Sequence, residues 1–343
     1  MARHKNIPIF ISHKGCPNQC VFCNQKTIAE EKAQSLDRIK ETIENALFFA
    51  KEDDQVEIAF FGGSFTGLPR DEMISLLDLA NTYRHDKRIT GIRLSTRPDY
   101  ISSEILDILA HYGVTDIELG VQSLSDKVLS ACRRGHTAAT TLDACRMIKE
   151  HGAFRLVGQM MLGLPKATEE DEMATANTLL ALPVDAIRIY PTVVLRNTPL
   201  ANTLSFGGYQ PLSLEDAVKR AADILEMALK KNVPCLRIGL CENESLHGDG
   251  GMIAGAFHPA LGELVLSEVC YRRMNSLLSE RDCKEKEIEF KIPSGALSMC
   301  IGHKKSNLHR LYEIHKPKHI RFTQSKDLKP FEIFLQEDHT IAP

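Results

Sequence analysis

Three cysteines lie close together near the N-terminus, in the sequence Gly15-Cys16-Pro17-Asn18-Gln19-Cys20-Val21-Phe22-Cys23. Thiolates are the ligands of iron–sulfur clusters, and a cubane cluster usually takes four of them. Three ligands from one loop therefore leave one iron open to a group that is not protein. A structural zinc site, with His13 as a fourth ligand, is the alternative that this spacing leaves open.

A glycine pair and a glutamine–arginine pair lie further along the chain. Gly62-Gly63-Ser64-Phe65 removes two side chains, which lets the backbone contact a ligand closely, although a tight turn has the same composition. Arg134 follows Gln122 by twelve residues, and Arg133 beside it is a competing candidate. An arginine suits a carboxylate because its planar guanidinium donates two parallel hydrogen bonds. The alternative is that both arginines lie on a solvated helix surface.

Two more short motifs follow apolar runs. The first is Ser95-Thr96-Arg97-Pro98-Asp99, in which Arg97 and Asp99 have the spacing of an ion pair that stabilises a turn. The Ser95 hydroxyl can take part in hydrogen bonds to a ligand. The second motif is Gly163-Leu164-Pro165.

The alternating strand and helix patterns place all these motifs directly after predicted strands. Six apolar, β-branched runs predict strands at 7–12, 56–61, 89–95, 116–121, 156–162 and 186–189, each followed by a helical pattern. Such alternation predicts a parallel sheet with crossover helices, and in such sheets the chemistry lies at the carboxyl ends of the strands. The motifs lie at those ends. The alternation alone does not separate a barrel from an open sheet.

The composition is ordinary for a globular protein with a large core. The chain has 343 residues, of which 43% are hydrophobic and 25% charged. Its net charge of −3 argues against a wholly basic nucleic-acid-binding protein, but not against a local basic patch. We expect no signal peptide and no membrane span, and therefore a cytoplasmic protein. Its ten cysteines then indicate metal binding or buried thiols rather than disulfides.

The cysteine loop and the strand-end motifs together resemble those of radical S-adenosylmethionine (SAM) enzymes. The resemblance implies that Cys16, Cys20 and Cys23 hold a 4Fe–4S cluster, with Phe22 as the aromatic residue before the third ligand. In that family the amino and carboxylate groups of SAM chelate the fourth iron. The cofactors that the resemblance implies are thus a 4Fe–4S cluster and SAM.

The same resemblance assigns further residues to SAM. The glycine-rich motif Gly62-Gly63-Ser64 corresponds to the one that binds the methionine amino group. Gln122 corresponds to a ribose contact and Arg134 to the contact with the SAM carboxylate. Gly163 lies in the turn on the adenine side. Ser95 stands where related enzymes have an acidic residue that binds the ribose, so its role departs from the pattern.

Within that family the motifs look most like the core of the Elongator catalytic subunit and its shorter bacterial relatives. Oxygen-independent coproporphyrinogen III oxidase is a more distant cousin. The resemblance covers about residues 1–270 and implies an α/β fold, a partial (β/α)6 barrel open on one side. We expect a radical SAM core at 1–235, a barrel-closing connection at 236–284 and a small C-terminal α+β domain at 285–343. The 84 residues after position 259 are too few for the acetyltransferase domain of the Elongator subunit.

The C-terminal segment has a predicted order of β-α-α-β-β and the loop Ile301-Gly302-His303-Lys304-Lys305-Ser306-Asn307-Leu308. This order and loop resemble a KH domain, whose Gly-x-x-Gly loop clamps the nucleic-acid backbone. Lys305 replaces the second glycine. Gly302, Lys304 and Lys305 are therefore candidates for RNA binding. A solvated basic surface is the alternative.

These observations predict a radical SAM enzyme that abstracts hydrogen from RNA, with tRNA as the candidate RNA and a flavodoxin-type or ferredoxin-type protein as the electron donor. One alternative is a small-molecule substrate, as in coproporphyrinogen oxidase. Another is a non-catalytic RNA-binding protein with a zinc or iron–sulfur site. The seven other cysteines indicate buried thiols rather than an auxiliary cluster. Tyr190 and Arg196 are candidates to face the substrate, and Gly248-Asp249-Gly250-Gly251 is a candidate lid.

Overall fold

A computed structural model describes residues 4–11, 14–17, 20–24, 35–241, 246 and 251–336. The possible zinc ligand His13 and most of the candidate lid lie outside the described residues. The described chain divides into two compact units. The first contains residues up to 214 and 227–257, and the second contains 215–226 and residues from 258 onward. The domain boundaries expected from the sequence, at 235 and 284, stay predictions.

The first unit is built on a parallel sheet of seven strands that curls into a half-barrel. The strands are β1 (His4–Phe10), β2 (Gln55–Phe61), β3 (Ile89–Thr96), β4 (Val114–Gln122), β5 (Arg155–Leu162), β6 (Ala186–Pro191) and β8 (Cys235–Ile238), in that spatial order. The fold class predicted from the sequence is confirmed, as a partial barrel. The strand β8 was not predicted, because four residues show too little periodicity. The antiparallel ribbon of β7 (Val193–Leu195) and β9 (Met252–Gly255) was also not predicted.

Helices connect the strands along the chain. They are α1 (Leu36–Phe48), α2 (Arg70–Thr82), α3 (Ser103–His111), α4 (Asp126–Ala131), α5 (Ala138–His151), α6 (Glu169–Ala181), α7 (Pro199–Ser205) and α8 (Leu214–Lys230). In α1 the buried residues are Ile39, Ile43 and Leu47, each four residues after the one before. The helix α6 begins with a capping box between Thr168 and Asp171. This spacing fixes where the helix begins after the fifth strand.

The second unit contains a three-stranded sheet with β10 in the middle. Its elements are α9 (Leu261–Ser279), β10 (Glu287–Pro293), α10 (Leu297–Ile301), α11 (Ser306–His315), β11 (His319–Ser325) and β12 (Phe334–Leu335). The strand β10 runs parallel to β11 and antiparallel to β12. Phe290, Ile292, Met274 and Leu311 are among its fully buried side chains. The observed order β10-α10-α11-β11-β12 agrees with the predicted β-α-α-β-β.

Candidate active site

The cysteine loop lies at the carboxyl end of β1 and is held by backbone hydrogen bonds. The Val21 amide donates to the Cys132 carbonyl over 3.2 Å, and the Leu200 amide donates to the Val21 carbonyl over 2.9 Å. Val21 packs with Val128, Cys132 and Leu164 in an apolar cluster, and Phe22 lies against this cluster. The loop is thus fastened on its apolar side to the segments that follow β4, β5 and β7.

The three thiols differ in exposure. Cys16 is exposed, Cys20 is buried and Cys23 is partly buried, and all three are free of disulfides. Although Cys16 is exposed at the surface, the surrounding protein atoms partly desolvate its thiol. This desolvation and the neighbouring Cys20 raise the pKa of Cys16, while Arg97 and Arg134 act in the opposite direction. Within the described ranges, no three His, Cys, Asp or Glu side chains are gathered closely enough to hold a metal ion. The loop therefore brings the predicted ligands to one region without closing them into a cage.

The glycine motif after β2 interlocks with the cysteine loop. The Ser64 amide donates to the Lys14 carbonyl over 3.0 Å. A Cβ on Gly15, whose φ is +69°, would lie 2.0 Å from the Ser64 carbonyl oxygen, and a Cβ on Gly63 would lie 2.5 Å from that of Lys14. The close approach of two backbones thus requires glycine at both positions. The predicted contact of Gly62, Gly63 and Ser64 with SAM stays a prediction beside this structural role.

Buried hydroxyl groups join the carboxyl ends of β2 and β3. The Ser64 hydroxyl lies 3.0 Å from that of Thr96, which lies 2.6 Å from that of Thr66. The Arg97 amide donates to the Ser64 oxygen over 3.2 Å. Ser64 therefore fixes the position at which Arg97 leaves the sheet. Ser95 precedes this junction and is partly buried.

Arg97 connects the end of β3 to the segment after α4. Its guanidinium pairs with both oxygens of Asp99, at 2.9 and 2.8 Å, which is the ion pair predicted from the sequence. Nη2 also donates to the Arg134 carbonyl over 2.5 Å. The remaining nitrogen, Nη1, is buried and has no hydrogen-bond partner among the described residues. An unpaired buried donor is costly, so this atom fits a site that takes a ligand acceptor.

Arg134, and not Arg133, points into the site. Its Nη1 lies 3.2 Å from the Cys20 sulfur, and its Nη2 donates to the Gly120 carbonyl over 2.7 Å. Arg134 is 6% exposed, whereas Arg133 is exposed to solvent. Of the two arginines that the sequence left as candidates, Arg134 is therefore the one that reaches the cysteine loop. A guanidinium beside a cluster ligand is well placed to hold an anionic group.

Gln122 ends β4 at an irregularity in the strand. The register between β4 and β5 shifts between Gly120 and Gln122, and the Gln122 φ is +63°. Such bulges redirect the side chain that follows them. A Cβ on Gly120 would lie 3.0 Å from the Gln122 amide nitrogen and 3.3 Å from Arg134 Nη2. The Gln122 amide oxygen is buried without a partner in the described part of the chain. Gln122 and Arg134 therefore both lie beside Gly120. Their predicted contacts with SAM stay a prediction.

His136 is a further buried group, and no role for it was predicted from the sequence. Burial, with a contribution from Arg134, lowers the pKa of His136 to about 4, so the ring is neutral at pH 7. Its Nε2 is buried and lacks a partner within the described ranges. The feature of the sequence that could have identified His136 as a site residue is its position two residues after Arg134.

Gly163 forms a closed turn after β5. Its amide donates to Glu172 Oε1 over 2.6 Å, and its carbonyl accepts a hydrogen bond from the Tyr209 hydroxyl over 2.6 Å. A Cβ here would lie 2.7 Å from Leu212 Cγ. Close packing thus explains why a glycine stands at this position. The predicted contact of Gly163 with the adenine of SAM stays a prediction.

The RNA-binding candidates lie in the second unit, in the loop between α10 and α11. Gly302, Lys304 and Lys305 all have positive φ values, of 82°, 50° and 62°. A Cβ on Gly302 would lie 2.9 Å from the Asn307 amide nitrogen. The Asn307 side chain is buried and donates to carbonyls of Ser267, Met299 and Cys300. This anchor holds the loop in place while both lysine side chains are exposed.

Comparisons with known proteins agree with this geometry. Residues 10–179 match the model of the Radical SAM superfamily, and residues 184–270 match that of the Radical_SAM C-terminal domain. An uncharacterized protein of Methanocaldococcus jannaschii is 31% identical over 232 residues, which are 64% of this chain and 70% of that protein. The chain belongs to the radical SAM superfamily.

Further similarity is to Elongator proteins. Elongator complex protein 3 of Homo sapiens is 32% identical over 194 residues, which are 51% of this chain. This chain covers only 35% of that protein. The structure of Elp3 from Methanocaldococcus infernus, with an N-terminal deletion, aligns with a TM-score of 0.60 at 18% identity, over 80% of this chain and 63% of that one. The predicted resemblance to a radical SAM core of the Elongator type is confirmed.

Family membership has two direct consequences. This chain is a radical SAM enzyme, so the alternative of a non-catalytic binding protein is set aside. Members of the superfamily use a 4Fe–4S cluster and SAM, and membership assigns both cofactors to this chain. The buried unpaired atoms of Arg97 and Gln122 fit such a bound cofactor. No helix in the described part of the chain is long and apolar enough to cross a membrane.

Proposed function

We propose that this radical SAM enzyme modifies RNA, with the loop at 302–305 holding the RNA backbone. The observation that carries the proposal is the anchored loop, which presents two exposed lysines at the start of α11. Lys305 is the N-cap residue of this ten-residue helix and makes no side-chain cap. Helix N-termini with free amides favour phosphate groups. The resemblance to the Elongator catalytic subunit favours tRNA among RNA substrates.

In the barrel we propose that Cys16, Cys20 and Cys23 hold the cluster, with Phe22 beside it. When bound, the cluster and SAM supply one-electron cleavage of SAM and abstraction of a hydrogen atom from the substrate. Arg134 binds the SAM carboxylate, because its guanidinium already lies against Cys20. The other SAM contacts are Gly62, Gly63, Ser64, Ser95, Gln122 and Gly163.

The reaction needs electrons one at a time. We propose a flavodoxin or ferredoxin as the donor, since both classes of protein deliver single electrons at low potential. In the purified system dithionite takes its place. A cytoplasmic location provides the reducing conditions that an open iron–sulfur cluster needs.

A cluster-ligand variant tests the barrel assignment. After anaerobic reconstitution, the native chain with SAM and dithionite releases 5′-deoxyadenosine and contains close to four iron atoms. Replacing Cys16, Cys20 and Cys23 together by alanine removes both signals. The control is Cys241→Ala, since Cys241 is also exposed but lies outside the loop. Full iron content in the triple variant would refute the assignment.

The RNA assignment has a separate test. The double variant Lys304→Ala, Lys305→Ala lowers RNA retention and reduces the slope of log affinity against log salt by about 1.4 for single strands, at about 0.7 per phosphate contact. The control is Lys230→Ala, Lys231→Ala, another adjacent pair of exposed lysines. Equal salt slopes for the two double variants would remove the RNA proposal and leave the radical chemistry intact.

A small-molecule substrate is the second candidate. The observation in its favour is a set of charged and polar side chains inside the half-barrel, described next. Deoxyadenosine release that rises with a small metabolite fraction, and not with RNA, would support this candidate.

A further inference from the structure

The inner wall of the half-barrel carries a row of polar side chains on three neighbouring strands. Gln159, Arg188 and Arg237 occupy matching register positions on β5, β6 and β8. Gly120 pairs with Gln159 in the same register, so the row starts beside the residue that Gln122 and Arg134 flank. Tyr190 follows Arg188 on the same face of β6. The row therefore lies next to the proposed SAM site.

Arg188 is held in place by its neighbours, but one of its hydrogen-bond donors has no partner in the described part of the chain. Its Nη2 donates to Glu118 Oε1 over 2.6 Å, and its Nη1 lies 3.4 Å from the Tyr190 hydroxyl. Its Nε is buried and has no partner in the described part of the chain. Because buried donors are almost always paired in native proteins, this nitrogen calls for an acceptor that is not protein.

Positive charge is in excess on the part of this wall that β6 and β8 form. Glu118 is shared between Arg188 and Arg93, and Gln159 also donates to it over 2.8 Å. Arg237 forms no ion pair in the described ranges, and its Nε donates to the Gly239 carbonyl over 3.1 Å. The positive charges of Arg188 and Arg237 are thus compensated only by the part of the Glu118 carboxylate that Arg93 and Gln159 do not occupy. The Tyr190 hydroxyl stays protonated as a donor, because burial raises its pKa.

The wall also has an aromatic side. The Phe61 ring lies with its centroid 5.9 Å from the Arg188 guanidinium carbon, and Phe10 lies 6.5 Å from Phe61 between centroids. A ligand with an apolar body and an anionic end would match the aromatic rings and the positively charged arginines of this wall. A neutral polar ligand would leave the positive charge uncompensated.

We propose that Arg188, Tyr190 and Arg237 form a binding site for an anionic oxygen group of the substrate, a carboxylate or a phosphate. The site rests on the proposed radical SAM function and narrows the chemistry of its substrate, since the row lies beside the proposed SAM site. An arginine fork with a tyrosine hydroxyl gives directional hydrogen bonds as well as charge.

The test measures binding of simple anions to the reconstituted holoenzyme in the presence of SAM. The probes are 13C-malonate for a carboxylate and inorganic phosphate for a phosphate, followed by ligand-observed NMR, with malonamide as the neutral control. We expect saturable binding of one anion and none of malonamide. Preference for malonate assigns a carboxylate-bearing substrate, and preference for phosphate assigns a phosphorylated one.

Variants locate the binding. Arg188→Met lowers the affinity for the bound anion at least tenfold, and Arg237→Gln and Tyr190→Phe lower it three- to tenfold. Arg237→Gln leaves no carboxylate unpaired, so it keeps the test valid if Arg188→Met does not fold. The control is Arg155→Gln, because Arg155 is half exposed and contacts Asp116 over 3.6 Å, away from the row.

Two results would overturn the proposal. One is the absence of saturable binding for both anions, and the other is unchanged binding in Arg237→Gln and Tyr190→Phe. Iron content is measured in every sample, so a failure of cluster assembly is recognised separately. RNA retention through Lys304 and Lys305 does not enter these measurements, so the RNA proposal and the anion site can fail independently.

Discussion

Replacement of Arg134 by alanine is the sharpest test of the proposed SAM site. Arg134 is buried, with one nitrogen on the Cys20 sulfur at 3.2 Å and one on the Gly120 carbonyl at 2.7 Å. A hydrogen bond to a charged group contributes about 1.5–3 kcal/mol. At about 1.4 kcal/mol per factor of ten, loss of the bond to the SAM carboxylate weakens SAM binding about 10- to 150-fold.

The neighbouring arginine gives a matched control. Arg133 carries the same charge one residue away but is exposed. We expect Arg133→Ala to change the SAM affinity less than about twofold, because screened surface charges contribute little. The assay is equilibrium dialysis of radiolabelled SAM against anaerobically reconstituted protein, with iron content measured in parallel. Equal losses in the two variants, at equal iron content, would refute the assignment of Arg134 to the carboxylate.

Three further predictions concern the cysteine loop, the RNA-binding loop and a helix cap. Gly63→Ala pushes a methyl group into the Lys14 carbonyl, so we expect loss of most bound iron with little change in far-UV circular dichroism; full iron content would contradict this. Lys305 has a left-handed backbone conformation that glycine adopts without strain, so we expect Lys305→Gly to raise the free energy of unfolding in urea by up to about 1 kcal/mol. A lower free energy of unfolding would contradict this. Bonds from Lys127 and Thr168 hold the pKa of Asp171 at about 2, so its stabilisation is fully present above pH 4 and is lost as the pH falls through 2. Asp171→Asn should therefore cost about 1 kcal/mol at pH 7 and much less below pH 2, and a cost that does not depend on pH would contradict the reasoning.

The sequence was most informative where a motif is local. The cysteine loop and the Arg97–Asp99 pair each depend on residues a few positions apart. The parallel order of the strands followed from alternation and was confirmed. Local spacing did not separate Arg133 from Arg134, because the difference between them is the direction of the backbone at one positive φ value.

The polar wall of the barrel could not be predicted in this way. Arg93 on β3 contacts Glu57 on β2 and both Asp116 and Glu118 on β4, at 2.8 to 2.9 Å. These contacts depend on the register between strands, which the sequence does not state. Arg237 was overlooked for a related reason, since its short strand was not predicted.

The interlocking of the cysteine loop with the turn after β2 has a consequence for protein engineering. Gly15 and Gly67 approach so closely that a Cβ on Gly67 would lie 2.3 Å from the Gly15 carbonyl oxygen. The loop and the turn are therefore a single structural part made from two distant stretches of sequence. A chimaera that transplants the cysteine loop into another barrel would have to carry residues 62–67 with it, since either stretch alone would meet a backbone shaped for a different partner.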